Sequence, residues 1–323
     1  MSNRPALCLN LIVKNEAAII GRLIDSVSPY IDYYVVCDTG STDDTVTRIR
    51  EEFAKRGVAG EVYSIPFVNF SQARNEALAR GRVCTGAFQY FLFADADMEL
   101  VVKDEGFTAR LEAPAYIVRQ RGGPLSYYNV RLLRRDAPAV YVGATHEYLD
   151  VSGRERLSEI EFLDHACGSN RVDKAVRDIR LLTTALRENP DDVRAMFYLA
   201  QTYRETGRYE EAALWYEART QAGGFGEEVW YARYQLALCC ARLDDPPGFV
   251  DECLRAYEER PWRAEPLHAL ASYYRKIGAG ELAQQYEDAC REISYPGDDI
   301  LFVEEDIYGN CSVPPSLADP NAI

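Results

Sequence analysis

Apolar runs and stretches of helical period alternate along the first hundred residues. Leu7–Val13 is a short apolar run that reads as a parallel strand, and residues 17–27 place Ile19, Ile20, Leu23, Ile24 and Val27 at helical spacing. Residues 31–36 form a second strand. It stops at a polar turn, Asp38-Thr39-Gly40-Ser41-Thr42-Asp43-Asp44, before a helix over Thr45–Lys55. Residues 61–65 are a third strand, and 71–80 a helix capped by Ser71 or Asn69. Residues 89–93 are aromatic and aliphatic, as in a strand covered on both faces. This alternation predicts a parallel sheet with helices on both faces. Residues 115–121 and 127–134 then pair through a Gly122-Gly123-Pro124 turn. Tyr128, Val130 and Leu132 lie on one face of the second strand, with Asn129, Arg131 and Leu133 on the other.

From Val172 the pattern is continuous helix. Residues 195–203 followed by Gly207, 209–213 and Trp215-Tyr216 place small and large apolar residues at tetratricopeptide positions. A second match starts at Leu267. A degenerate copy between them is interrupted by Asp244-Asp245-Pro246-Pro247, and Asn189-Pro190 and Arg260-Pro261 punctuate the helices. The expectation is an all-α solenoid of about three helix pairs after a leading helix over 172–188. Three regions follow: a sheet domain over 1–168, a helical repeat domain over 169–300 and a C-terminal tail over 301–323, of which Gly309 to Ile323 reads as disordered or loosely draped.

Composition narrows the classes. A net charge of −15 disfavours nucleic acid or an anionic membrane as a general partner. Nine scattered cysteines without a CxxC pair fit a reduced compartment. No signal peptide is read at the N-terminus, and no apolar run approaches the ~20 residues that span a bilayer. The expectation is a soluble cytoplasmic protein.

The candidate chemistry sits where the strands end. Asp95 and Asp97 close the 89–93 strand one residue apart, so an extended chain points both the same way. Two carboxylates so placed suit a hard cation, Mg²⁺ or Mn²⁺. Lys14 to Glu16 and Asp38 to Ser41 end two more strands at the same predicted edge, where open α/β sheets bind ligands. Neither GxGxxG nor GxxxxGK[ST] is present, which disfavours a dinucleotide fold or a P-loop.

Four segments carry a family resemblance: Ile12-Val13-Lys14-Asn15-Glu16, Val36-Cys37-Asp38-Thr39-Gly40-Ser41-Thr42-Asp43, Ala73-Arg74-Asn75-Glu76-Ala77 and Phe93-Ala94-Asp95-Ala96-Asp97. In order and spacing, residues 5–165 resemble the family 2 glycosyltransferases. The resemblance implies a GT-A type fold, a nucleotide-diphospho-sugar donor (a UDP-sugar favoured) and a divalent metal, Mn²⁺ or Mg²⁺. It implies Asp38 on the base or ribose, Asp97 on the metal and Asp95 on ribose or metal. Val13, Asn15, Glu16, Thr39 and Ser41 join the donor pocket by the same analogy. Arg74 reads either as a fixed cation near the phosphates or as a surface helix arginine, and Asn75 as a loop bracket or a ligand contact.

His146-Glu147 is the second chemical centre. The resemblance, with Gly143 shortly before, makes Glu147 the general base that deprotonates the acceptor and His146 a metal or diphosphate contact. A hydroxyl acceptor needs such a base as it attacks. On a strand His146 and Glu147 point to opposite faces, which leaves one role open, and Asp150 is a reserve base. His165 reads as a late metal ligand or as a structural hydrogen-bonding partner.

Two functions compete. One is a metal-dependent, inverting transfer of a sugar to a protein, peptide or glycan acceptor, with the repeats presenting the acceptor or forming a homodimer. The alternative is a helical-repeat protein-binding scaffold with an inactive transferase domain. A nucleotidyltransferase is disfavoured, because no glycine-rich basic signature lies near the N-terminus.

Overall fold

The computed structural model of the chain describes residues 5–123, 125–168 and 174–308. The chain divides into two units, residues 1–123 with 127–174 and residues 124–126 with 175–323. The first unit runs β1 (Leu7–Val13), α1 (Ile20–Val27), β2 (Tyr33–Asp38), α2 (Thr45–Lys55), β3 (Ala59–Ser64), α3 (Phe70–Val83) and β4 (Tyr90–Phe93). It continues through β5 (Met98–Val102), β6 (Ala115–Gly122), β7 (Leu125–Arg134), β8 (Val140–Val142), β9 (Tyr148–Asp150) and β10 (Arg154–Asp164).

The strand order is β3-β2-β1-β4-β7-β6-β10-β5, with β8 and β9 in a separate pair. β1 is parallel to β2 and β4, and β2 to β3, whereas β7 runs antiparallel to β4. The sheet is therefore mixed, not all parallel. Period-two alternation builds both faces. Leu7, Leu9, Leu11 and Val13 pack with α1 and α2 residues, while Cys8 packs with Leu78 of α3. Asn69 is the N-cap of α3, accepting the Gln72 amide at 2.8 Å. Strands β5 and β10 were not expected; they pair antiparallel, Met98 opposite Asp164.

The second unit is helical: α4 (Lys174–Glu188), α5 (Val193–Glu205), α6 (Tyr209–Gln221), α7 (Gly226–Arg242), α8 (Pro246–Glu259), α9 (Glu265–Lys276) and α10 (Gly280–Arg291). Consecutive helices from α5 to α10 pack on one another, giving the expected three pairs of a solenoid. Asp245-Pro246-Pro247 does not interrupt a repeat; it starts α8, with Asp245 accepting the Gly248 amide at 3.1 Å and proline in the first turn. Leu125 and Ser126, which belong to this unit, pair antiparallel with a short β11 (Val303–Glu304).

Residues 301–308, the start of the tail, pack in the repeat unit, where Val303 and Ile307 are buried. The start of the leading helix at Val172 and residues 309–323 lie outside the described residues. Cys8, Cys37, Cys84, Cys239 and Cys253 are free and buried. No helix among the described residues is long and apolar enough to cross a membrane.

Candidate functional site

Register brings the three strand ends together. Val13 pairs with Asp38, and Asn10 with Phe93, so the chain leaves β1, β2 and β4 at one edge of the sheet. The first two loops are tied to each other. Asn15, at φ +57°, donates its amide to Ser41 Oγ (2.9 Å), and its Oδ1 accepts the Thr42 amide (2.7 Å). Asp38 accepts the amides of Gly40 (3.2 Å) and Ser41 (3.1 Å), closing a turn that Gly40 enters at φ +103°. Thr39 donates its hydroxyl to the Val13 carbonyl at 3.1 Å, so it holds the two strands rather than a ligand.

The third end carries the charge. Arg74 of α3 donates Nε to Glu147 and Nη2 to Asp95. Arg131 of β7 adds a contact to Asp95 Oδ2 at 3.2 Å and is itself held by Gln120 Oε1 at 2.8 Å. Burial alone raises the Asp95 carboxyl, but Arg74 and Arg131 hold it well below the usual carboxylate range. Asp97 shows the opposite shift. Burial raises it, and the charges of Asp95 and Asp164 add to the rise, with the Gly168 amide at 3.1 Å opposing. A Cβ on Gly168 would lie 3.3 Å from Asp97 Oδ2 and 3.6 Å from Glu16 Oε1, so Glu16 and Asp97 flank this segment.

The predicted residues divide accordingly. Asp95, Arg74 and Glu147 form one cluster; Glu147 is 8% exposed and fully within reach of Arg74. Glu147 does not lie on a strand. It follows the 143–146 turn, in which Gly143 has φ +106° and His146 φ +49°, so the expected opposite-face argument does not apply. Asn75 is a bracket: Nδ2 donates to the Tyr141 carbonyl (2.9 Å) and Oδ1 accepts the Tyr141 amide (2.8 Å). Asp150 is exposed on β9 opposite Val140 and makes no hydrogen bond or ion pair with Arg74, Asp95 or Glu147. His165 pairs with Glu99 at 2.8 Å on the surface. Among the described residues no group of three or more His, Cys, Asp or Glu side chains is arranged to hold a metal, so the expected set of Asp95, Asp97 and His146 is not assembled.

Arg131 was missed. Its signal is an arginine inside the apolar run Val130 to Leu133, and it is buried with Leu132 and Leu133.

Residues 170–226 match the tetratricopeptide repeat family. A TPR repeat-containing protein of Synechococcus elongatus is 27% identical over 308 residues, 88% of this chain and 71% of that protein. At 88% of the chain, the likeness extends beyond the repeats into the α/β unit. A solved structure of MamA is similar at 20% identity over 38% of this chain and 69% of that one, with a TM-score of 0.34. YrrB, described as a TPR protein with an unusual peptide-binding site, is similar at 21% identity over 39% of this chain and 63% of that one, with a TM-score of 0.33.

Proposed function

We propose that this chain joins a protein-interaction scaffold, its helical repeats, to a sugar-transfer unit of GT-A type that takes a nucleotide-diphosphate donor. The scaffold half is supported by the repeat match over 170–226 and by the helix pairs. The transfer half rests on one observation. Arg74 spans Asp95 and Glu147 at the strand-end edge, beside Asp97, whose carboxylate receives no side-chain cation among the described residues.

A divalent ion fits this edge in one form. Asp97 would supply a single carboxylate, and the donor diphosphate and water would complete the oxygen ligands that Mg²⁺ takes. The ion, when bound, offsets the charge that develops on the departing diphosphate. The chain's own residues do the rest. The 38–41 turn holds the nucleoside, and Arg74 moves its charge from Glu147 towards the phosphates. Glu147, released, takes the proton of the acceptor hydroxyl as it attacks the anomeric carbon. Direct in-line attack inverts that carbon. UDP-sugars are the favoured donors and a protein or peptide the favoured acceptor, with a glycan behind it.

The comparisons speak most directly for the repeats, so the second reading is a scaffold whose α/β unit is silent. Its supporting observation is that two arginines already occupy Asp95. A donor screen separates the two. With Mn²⁺ and a panel of UDP- and GDP-sugars, the transfer reading expects slow release of one nucleoside diphosphate, lost in Asp97→Ala. No release from any donor by the folded protein leaves the scaffold alone.

A further inference from the structure

Residues 298–308 hold no regular structure beyond the two-residue β11, paired with Leu125 and Ser126, and a single 3-10 turn over Glu305–Ile307. They lie along the first helices of successive pairs, α5, α7 and the start of α9, and side chains there take up their backbone. Glu227 accepts the amides of Ile300 and Leu301, both at 2.8 Å. Arg263 donates to the Phe302 carbonyl at 2.9 Å, and Glu265 accepts the Glu304 amide at 3.3 Å. Two positions are also read by side chain. Asp299 receives Arg260 (2.9 Å), Arg263 (3.0 Å) and the Trp262 indole (3.3 Å). The Phe302 ring stacks on Phe197 at 6.2 Å and meets Tyr231 at 4.8 Å. Arg263 and Glu265 are fully buried. Buried ion pairs are weak sources of stability, and apolar packing serves a repeat core as well. Their positions match the donors and acceptors of an extended backbone, which is how a peptide groove is built.

We infer that this row of helices is a receptor for an extended peptide with an acidic residue and an aromatic residue three positions later, and that residues 298–308 occupy it as an intramolecular ligand. A partner segment of the same chemistry has to displace them. The segment is tethered to α10 through a short non-helical connection, so it competes at high effective concentration. The inference rests on the scaffold half of the proposal and not on sugar transfer.

The probe is a fluorescein-labelled synthetic peptide spanning 298–308. In the full chain carrying D299A with F302A, the occupied groove opens, and the peptide should bind at least about tenfold more tightly than to the unaltered chain. The same peptide with both substitutions should bind neither protein. A folded double variant that binds the peptide no better than the unaltered chain overturns the inference. It leaves the scaffold reading standing, because a groove for a different ligand chemistry is found by screening unrelated peptides against the same variant. If the double variant fails to fold, hydrogen exchange of the unaltered chain decides. Amides of 300–304 should exchange at least about tenfold faster than those at the centre of α7, through local opening. Exchange in step with α7 makes the segment part of the repeat core and overturns the inference.

Discussion

Both units bury charge, and they finish the job differently. In the repeats, Arg263 has every donor nitrogen engaged: Nε and Nη2 on Glu265, Nη1 on Asp299, and Nη2 also on the Phe302 carbonyl. At the α/β edge Asp95 is likewise saturated by two arginines, but Asp97 next to it is pushed up by burial and by its acidic neighbours and, among the described residues, meets backbone amides and no side-chain cation. One network is closed by the chain itself. The other carries an uncompensated charge at the position where open α/β sheets take ligands. A closed network holds the fold; an unfinished one has to be completed by something the chain does not contain.

The sharpest way to break this contrast is Arg263→Ala. It leaves Glu265 and Asp299 buried without their cation, and the loss of stability should be about 3–5 kcal/mol, read by chemical denaturation of the full chain. A loss below about 1 kcal/mol would mean that the repeat network is not closed as described. At the other edge, Glu147→Gln keeps shape and removes the proposed base. Sugar transfer should fall at least about a hundredfold while nucleotide binding persists; equal rates would remove Glu147 from the chemistry.

A third prediction concerns pH. Burial first, and then the charge of Glu265, raise Glu304 to about 7, against the bond from Tyr234 and the charges of Arg263 and Arg204. The folded unit thus retains a proton that the unfolded chain releases from about 4.5 upward. Glu304 therefore contributes stability that is full below that value and is lost as pH rises through about 7. The total is about 3–3.5 kcal/mol at most. Glu304→Gln should flatten the pH dependence of the melting temperature between pH 5 and 8; an unchanged slope assigns it to other groups. The smallest effect belongs to the unfinished edge. Asp97→Asn removes a penalised charge, so stability should stay within about 1 kcal/mol of the unaltered chain or rise, although metal-dependent nucleotide binding disappears. A large destabilisation would make Asp97 a structural residue like Asp95.

The local features of both units were legible in the sequence. Period-two and helical spacing placed β1 to β4 and the helices between them, because those signals lie within a dozen residues. The polar loops after β1, β2 and β4 were legible for the same reason, and parallel register brings them to one edge. What escaped was non-local. Arg131 reaches Asp95 across 36 positions, and Asp299 reaches Arg263 across another 36. Nothing in a short window marks either pair. The hairpin register that sets Asp150 opposite Val140 on an exposed strand position is equally non-local. Asp245-Pro246-Pro247 read as a break because proline stops helices, but a capping aspartate before proline starts one.

In the proposed function a metal-bound nucleoside diphosphate completes the α/β edge. Calorimetric titration of UDP and then GDP into the full chain, with Mn²⁺ and again with EDTA, tests it most directly. One diphosphate should bind with Mn²⁺, lose that binding in EDTA and lose it again in Asp97→Ala. Absence of binding for both nucleotides, in protein whose helical signal and cooperative melt are intact, contradicts the claim and leaves the repeats as the working part of the molecule.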